Sequence, residues 1–236
     1  NGDSSPELWD ALVSLGVHYR KREMYRKAES HYQEALALSE KYFGGSHYKT
    51  GLTLNNLAVL YSNKKKFKLA ELTSTRAIDI MKDAFGQEHP EIVTYLNTLA
   101  TIYHDQKKYE KAESIFKQAL AVAKNTYSPT HPVLISLIDN LVRNHRERGN
   151  DHKALVLARE ASFLIERRVN SNFSRDSSVA LRELNQRSSS LREHIDIAYS
   201  LSLRNLPKLQ PLHEEAFKII QLKRLSSASY ALEKAS

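Results

Sequence analysis

Ten histidines and no cysteine are the first chemical facts of this 236-residue sequence. Without thiols the chain can form no disulfide, no thiolate metal site and no cysteine nucleophile. His47, His89 and His131 stand 42 residues apart. A zinc ion needs its ligand atoms about 2.0 Å away. Equivalent positions on successive helical units lie on the order of 10 Å apart, so this column is read as helix caps and turns. His145 reads as a substituted core position. No Gly-rich phosphate loop, HExxH or GxSxG occurs. Glu110 and Glu113, beside Lys108 and Lys111, have the spacing of a solvated helix face. The expectation is a non-catalytic chain with no cofactor and no metal.

What the residue types do offer is binding. Three further columns repeat every 42 residues: Val13, Asn55, Asn97 and Asp139; Val17, Val59, Thr101 and Arg143; Arg20, Ser62, His104 and Arg146. They are apolar at one end, amide-rich in the middle, and basic with one acid at the other end. An amide both donates and accepts, so Asn55 and Asn97 suit the backbone of an extended peptide. Arg143 and Arg146 suit a carboxylate. The alternative is that the asparagines merely tie neighbouring helices together.

The elements that must position these columns are helices in a repeat. Leu54-Asn55-Asn56-Leu57-Ala58-Val59-Leu60-Tyr61 recurs 42 residues later as Leu96 to Tyr103, 42 earlier as Leu12 to Tyr19, and in worn form as Ile138 to His145. Small residues follow the last column at fixed offsets, Ala28, Ala70, Ala112 and Ala154, then Ala35, Ala77, Ala119 and Ala161. Tyr32, Ser74, Phe116 and Ala158 lie between them. Small residues let two antiparallel helices approach, and large ones fill the space between hairpins. Phe43-Gly44, Phe85-Gly86 and Tyr127-Ser128 end one helix, and His47-Tyr48, His89-Pro90 and His131-Pro132 open the next.

This pattern resembles the tetratricopeptide repeat (TPR). With its 42-residue unit, the "LNNLA…Y" text and the Phe-Gly-x-x-His-Pro turn, it resembles the kinesin-light-chain type in particular. The resemblance implies an all-α, right-handed α-solenoid of four helix hairpins over residues 1–170, with repeats at about 6–47, 48–89, 90–131 and 132–170. A C-terminal helical extension spans 171–236. The resemblance also implies that first helices line the concave face, which is where the three columns above would lie. TPRs that clamp a chaperone's C-terminal carboxylate resemble one another in placing Lys at the Val13/Asn55 column and Asn at the Val17/Val59 column. This chain does neither.

In the extension, Asn170 to Ser174 reads as a loop and cap, and a single helix is expected from about Ser177 to Arg204. Leu206-Pro207 and Pro211 break it, and a last helix follows. The run from Glu215 to Leu225, then Tyr230-Ala231-Leu232, resembles the helix that joins such repeats to a CHAT domain, a caspase-like peptidase module. That resemblance implies a regulatory half of a larger protein, with the His/Cys dyad beyond residue 236. A kinesin-light-chain-like adaptor is the alternative.

The formal net charge of +8 is spread, with 35 Lys and Arg against 27 Asp and Glu. It suggests a protein or peptide partner of acidic character. A nucleic-acid-binding solenoid is a third reading, disfavoured because no concentrated basic face with interleaved aromatics is present. No apolar run approaches the roughly 20 residues of a membrane span. A cytoplasmic location is expected. The start at Asn1 without Met suggests a fragment or processed form. Trp9 is expected to pack against the open end of the first hairpin.

Overall fold

The computed structural model describes residues 6–173, 176–204, 214–215 and 217–221. Ten helices are delimited among them: α1 Pro6–Lys21, α2 Tyr25–Tyr42, α3 Tyr48–Asn63, α4 Phe67–Phe85, α5 Ile92–Asp105, α6 Tyr109–Thr126, α7 Pro132–Glu147, α8 Asp151–Phe173, α9 Ser177–Gln186 and α10 Ser188–Arg204. Residues 214–215 and 217–221 are helical as well, and no strand occurs among the described residues. Most of the resemblance from Glu215 to Leu232 falls on residues 222–236, outside the described ones.

The chain divides into two compact units, Asn1–Thr126 and Tyr127–Ser236. The first holds three hairpins, α1/α2, α3/α4 and α5/α6, and α3 touches α1 and α5 directly. The alanines at the crossings, Ala28, Ala35, Ala70, Ala77, Ala112 and Ala119, are fully buried. The second unit holds the α7/α8 hairpin, with α9 and α10 packed on α8.

Side-chain volume is traded between the two helices of the first hairpin. A Cβ built on Gly16 would lie 2.3 Å from the Tyr32 ring, well inside contact distance. Tyr32 is itself fully buried. Down the same two columns stand Ala58 with Ser74, Ala100 with Phe116, and Val142 with Ala158. Small stands with large at Gly16/Tyr32 and the reverse at Val142/Ala158, whereas Ala58 and Ala100 stand with partners as unlike as Ser74 and Phe116.

Both kinds of turn are built once and reused. The first helices end on residues of positive φ at Glu23, Lys65, Lys107 and Gly149, again 42 apart. In each, the amide one residue further on bonds back to the column position, Met24 to Tyr19, Lys66 to Tyr61, Lys108 to Tyr103 and Asn150 to His145, all at 2.9 Å. This is the Schellman closure of a helix C-terminus. The lysine-rich turns are therefore helix stops. In the other turn, Nδ1 of His47, His89 and His131 accepts from the backbone N–H two residues on, at 3.2, 3.3 and 3.3 Å. Each imidazole stacks on the aromatic four residues earlier, Phe43, Phe85 or Tyr127, at centroid distances of 4.9, 4.7 and 4.2 Å. His47 and His131 are thus N-caps of α3 and α7, and His89 makes the same bond within the turn that precedes α5.

The extension departs from expectation at two places. Helix α8 runs through Asn170–Asn172 to Phe173, where a loop was expected. The cap lies later: Asp176 accepts from the Ser178 amide at 2.8 Å. The expected single helix from Ser177 to Arg204 is two, α9 and α10, parted at Arg187.

Candidate functional site

The first unit's candidate site is a cavity of about 190 Å³ between α3 and α5, lined by Val59, Ser62, Asn63, Asn97, Thr98, Thr101, Ile102 and Asp105. It brings four of the twelve sequence-derived residues together: Val59, Ser62, Asn97 and Thr101. The Ser62 hydroxyl donates to Asp105 Oδ2 at 3.1 Å. Thr101 Oγ1 donates to the Asn97 carbonyl at 2.8 Å, so its hydroxyl proton is turned along its own helix.

Other members of the columns lie elsewhere. Val13 packs against the cluster of Trp9, Leu12 and Ala35. Val17 packs against the cluster that contains Tyr32, Leu57 and Ala58. Both serve the core of the hairpin array. Arg20 lies beside Tyr32, whose hydroxyl burial pushes to a higher pKa and Arg20 partly pulls back. Asn55 is half-buried, and its Oδ1 is shielded from solvent with no hydrogen-bond partner. His104 does not line the cavity, and its ring meets Tyr109 edge-on at 5.4 Å. Trp9 is buried, and its Nε1 donates to Thr53 Oγ1 at 3.0 Å, as befits a packing residue.

In the second unit the corresponding face is occupied by the chain itself. Ser190 of α10 donates to Asp139 Oδ2 at 2.6 Å, and Glu193 lies 3.4 Å from Arg146 Nη1. Arg143 is exposed and donates to Asn140 Oδ1. A cavity of about 320 Å³ remains between α7 and α10, lined by Ser136, Asp139, Asn140, Arg143, Ser189, Ser190 and Glu193. Burial raises the Asp139 carboxyl above its usual range, with the Ser190 hydrogen bond acting the other way. Arg146, expected to hold a partner's carboxylate, holds that of Glu193.

A polar chain that the repeat pattern does not announce fastens the last described helical stretch. Arg159 of α8 grips Glu215 with two bonds of 2.7 Å. Glu215 Oε1 lies 2.7 Å from His194 Nε2, and His194 Nδ1 lies 2.8 Å from the Ser162 hydroxyl. An ionised Glu215 makes Nε2 the protonated nitrogen, so Ser162 donates to Nδ1 and His194 is neutral. Burial lowers the His194 pKa, more than Glu215 raises it. Burial alone would raise the Glu215 carboxyl, but Arg159 and His194 hold it below the usual range. The serine–histidine–carboxylate order has the look of a nucleophile relay. Ser162, however, is buried in the middle of α8, where the backbone amides are tied into the helix and cannot serve as oxyanion donors. The arrangement is a clasp. Sequence spacing could not reveal it, since its members lie 32 and 21 residues apart in a segment outside the 42-residue period.

The sequence model for the tetratricopeptide repeat matches residues 10–83 and 90–162. The chain belongs to the tetratricopeptide repeat family. Solved structures carry the likeness through the TPR hairpins. The crystal structure of kinesin-light-chain TPR-like repeats from Podosopora anserina is 17% identical, with a TM-score of 0.69 over 96% of this chain and 98% of that one. BtubC (BKLC) from P. vanneervenii is 19% identical, with a TM-score of 0.70 over 90% and 79%. The apo form of RapI is 13% identical, with a TM-score of 0.61 over 100% and 88%. At these identities the likeness speaks for the fold. Among curated proteins no relative matches. TPR folds are typical of protein-interaction scaffolds. No helix among the described residues is long and apolar enough to cross a membrane, and no group of three or more potential ligand residues there could hold a metal ion.

Proposed function

We propose that this TPR protein is a non-catalytic scaffold that holds an extended peptide segment of a partner protein along the α3–α5 face of its first unit. The observation that carries this is the cavity between these first helices, which gathers Asn97, Thr101, Ser62 and Val59 at one place. Asn97 presents an amide there, and Asn55, half-buried on the preceding first helix, stands one repeat earlier in the same column. A peptide backbone supplies the donors and acceptors that such amides match. The resemblance to caspase-associated repeats gains no support from the described residues, and the adaptor reading needs only the TPR face.

The test uses a partner identified by pull-down and mass spectrometry and reduced to its binding segment. Asn55→Ala with Asn97→Ala is expected to weaken that segment's binding by about tenfold or more, since two net hydrogen bonds at about 1 kcal/mol each are lost. Helical circular dichroism is expected to stay unchanged. Calorimetry showing unaltered affinity moves the binding site off this face.

A further inference from the structure

The sequence's net charge of +8 points to an acidic partner. The cavity points the other way. Of the eight residues lining it, Asp105 is the one ionisable group. Its Oδ2 accepts from Ser62, which fixes the carboxylate at the cavity wall and leaves it further acceptor capacity. The lysines of the adjoining turns do not line the cavity. Lys64 is paired with Glu29, and Lys108 lies 3.7 Å from Glu71. The remaining wall is Val59 and Ile102 with short hydroxyl and amide side chains.

We propose that this cavity is a pocket for one basic side chain, Lys or Arg, of the bound peptide. This rests on the peptide-binding reading above and specifies its chemistry. The volume of about 190 Å³ matches roughly six waters at ~30 Å³ each, which is the room one long side chain needs. Val59 and Ile102 meet the methylene stem, and Asp105 meets the charged head, the division a snorkelling side chain uses. An acidic side chain in the same place would face the Asp105 carboxylate with no cation to relieve it, which disfavours that partner. The overall positive charge then acts on approach and on the rest of the segment, while the pocket sets the register. A favoured cation at one point of a peptide is compatible with acids on either side of it.

The test is selection of a displayed library of random dodecamer peptides against the whole chain. Enriched peptides are expected to share a Lys or Arg at one register. In fluorescence anisotropy, Asp105→Asn is expected to weaken such a peptide about two- to fivefold, the range for an exposed charge pair. Replacing that Lys or Arg of the peptide by Met is expected to cost a similar factor, and to cost nothing further in the Asp105→Asn protein. Asp105→Lys is expected to shift the selected register toward Asp and Glu. Because Asp105 is exposed near the end of α5, both variants are expected to keep the helical melting profile. Enriched peptides that Asn97→Ala releases but that carry acids or apolar residues at the register, or that ignore Asp105→Asn, overturn the basic pocket and leave the peptide face standing. Absence of any enrichment, or enrichment that Asn97→Ala does not touch, contradicts the peptide face itself and the pocket with it.

Discussion

At the scale of single residues, the array is governed by small side chains at contacts and by a few polar atoms at helix ends. Gly16 shows the first. Replacing it with Ala gains about 1 kcal/mol of helix propensity. It also drives a methyl into the Tyr32 ring at 2.3 Å, and overpacking costs typically about 1–3 kcal/mol. The steric effect wins. Gly16→Ala is expected to lower thermal stability, and Gly16→Ala with Tyr32→Phe, which keeps the ring, is expected not to restore it. Introduced into a Tyr32→Ser background, the pairing of the second repeat, Gly16→Ala is expected to cost less than it does in the parent chain, as differential scanning calorimetry of the four variants would show. His131 shows the second effect. As a cap its Nδ1 must be unprotonated, and burial followed by the Arg168 charge lowers its pKa below 6.5. A histidine with a depressed native pKa contributes stability that is complete above the unfolded value and is lost as pH falls through the lowered native one. His131→Asn keeps a capping acceptor that does not titrate. Its melting temperature is therefore expected to fall less than the parent's between pH 7 and pH 5, whereas His131→Ala is expected to cost about 0.5–2 kcal/mol at pH 7.

At the scale of helices, the hairpins were legible in the sequence and the extension was not. The hairpin reading rested on positions that recur, the buried alanines Ala70 and Ala112 and the column tyrosines Tyr61 and Tyr103, so each repeat checked the others. The Schellman stops at Glu23, Lys65 and Lys107 escaped notice because two of these three are lysines in basic turns, and a non-glycine residue does not advertise positive φ. The break between α9 and α10 has neither proline nor glycine to mark it. There Arg187 bonds to the Pro132 carbonyl and the Ser136 hydroxyl on α7, and Ser190 to Asp139, tertiary partners that no local pattern contains. In the sequence columns Ser62 and Thr101 line the α3–α5 cavity and His104 does not, while its neighbour Asp105, one step of about 100° round the helix, does. The clasp supplies the prediction at this scale. Arg159→Ala removes the bidentate grip on Glu215 and is expected to speed amide exchange at residues 217–221 while α3–α5 stay protected. His194 carries the same linkage sign as His131, so acidification below pH 6.5 is expected to raise exchange at 217–221 in the parent chain. Equal exchange in parent and Arg159→Ala would show that Glu215 holds nothing in place.

At the scale of the whole molecule, two units of the same TPR construction present their first-helix faces differently. In Asn1–Thr126 the α3–α5 cavity is bordered by groups able to receive a peptide. In Tyr127–Ser236 the equivalent columns are engaged by α10 through Ser190 and Glu193. The fold is shared with TPR structures of unlike description, so it does not choose the partner, and under the proposed function that choice falls to side chains at the cavity. The outer face of α4, where Leu72 is 70% exposed, is the main competing surface within the first unit. Amide chemical-shift mapping with a bound peptide segment separates the two most directly. The account predicts that the largest shifts cluster on Asn55, Val59, Ser62, Asn97, Thr101 and Asp105. Shifts concentrated instead on Lys68, Leu72, Thr75 and Asp79, with the α3–α5 face unmoved, would contradict it.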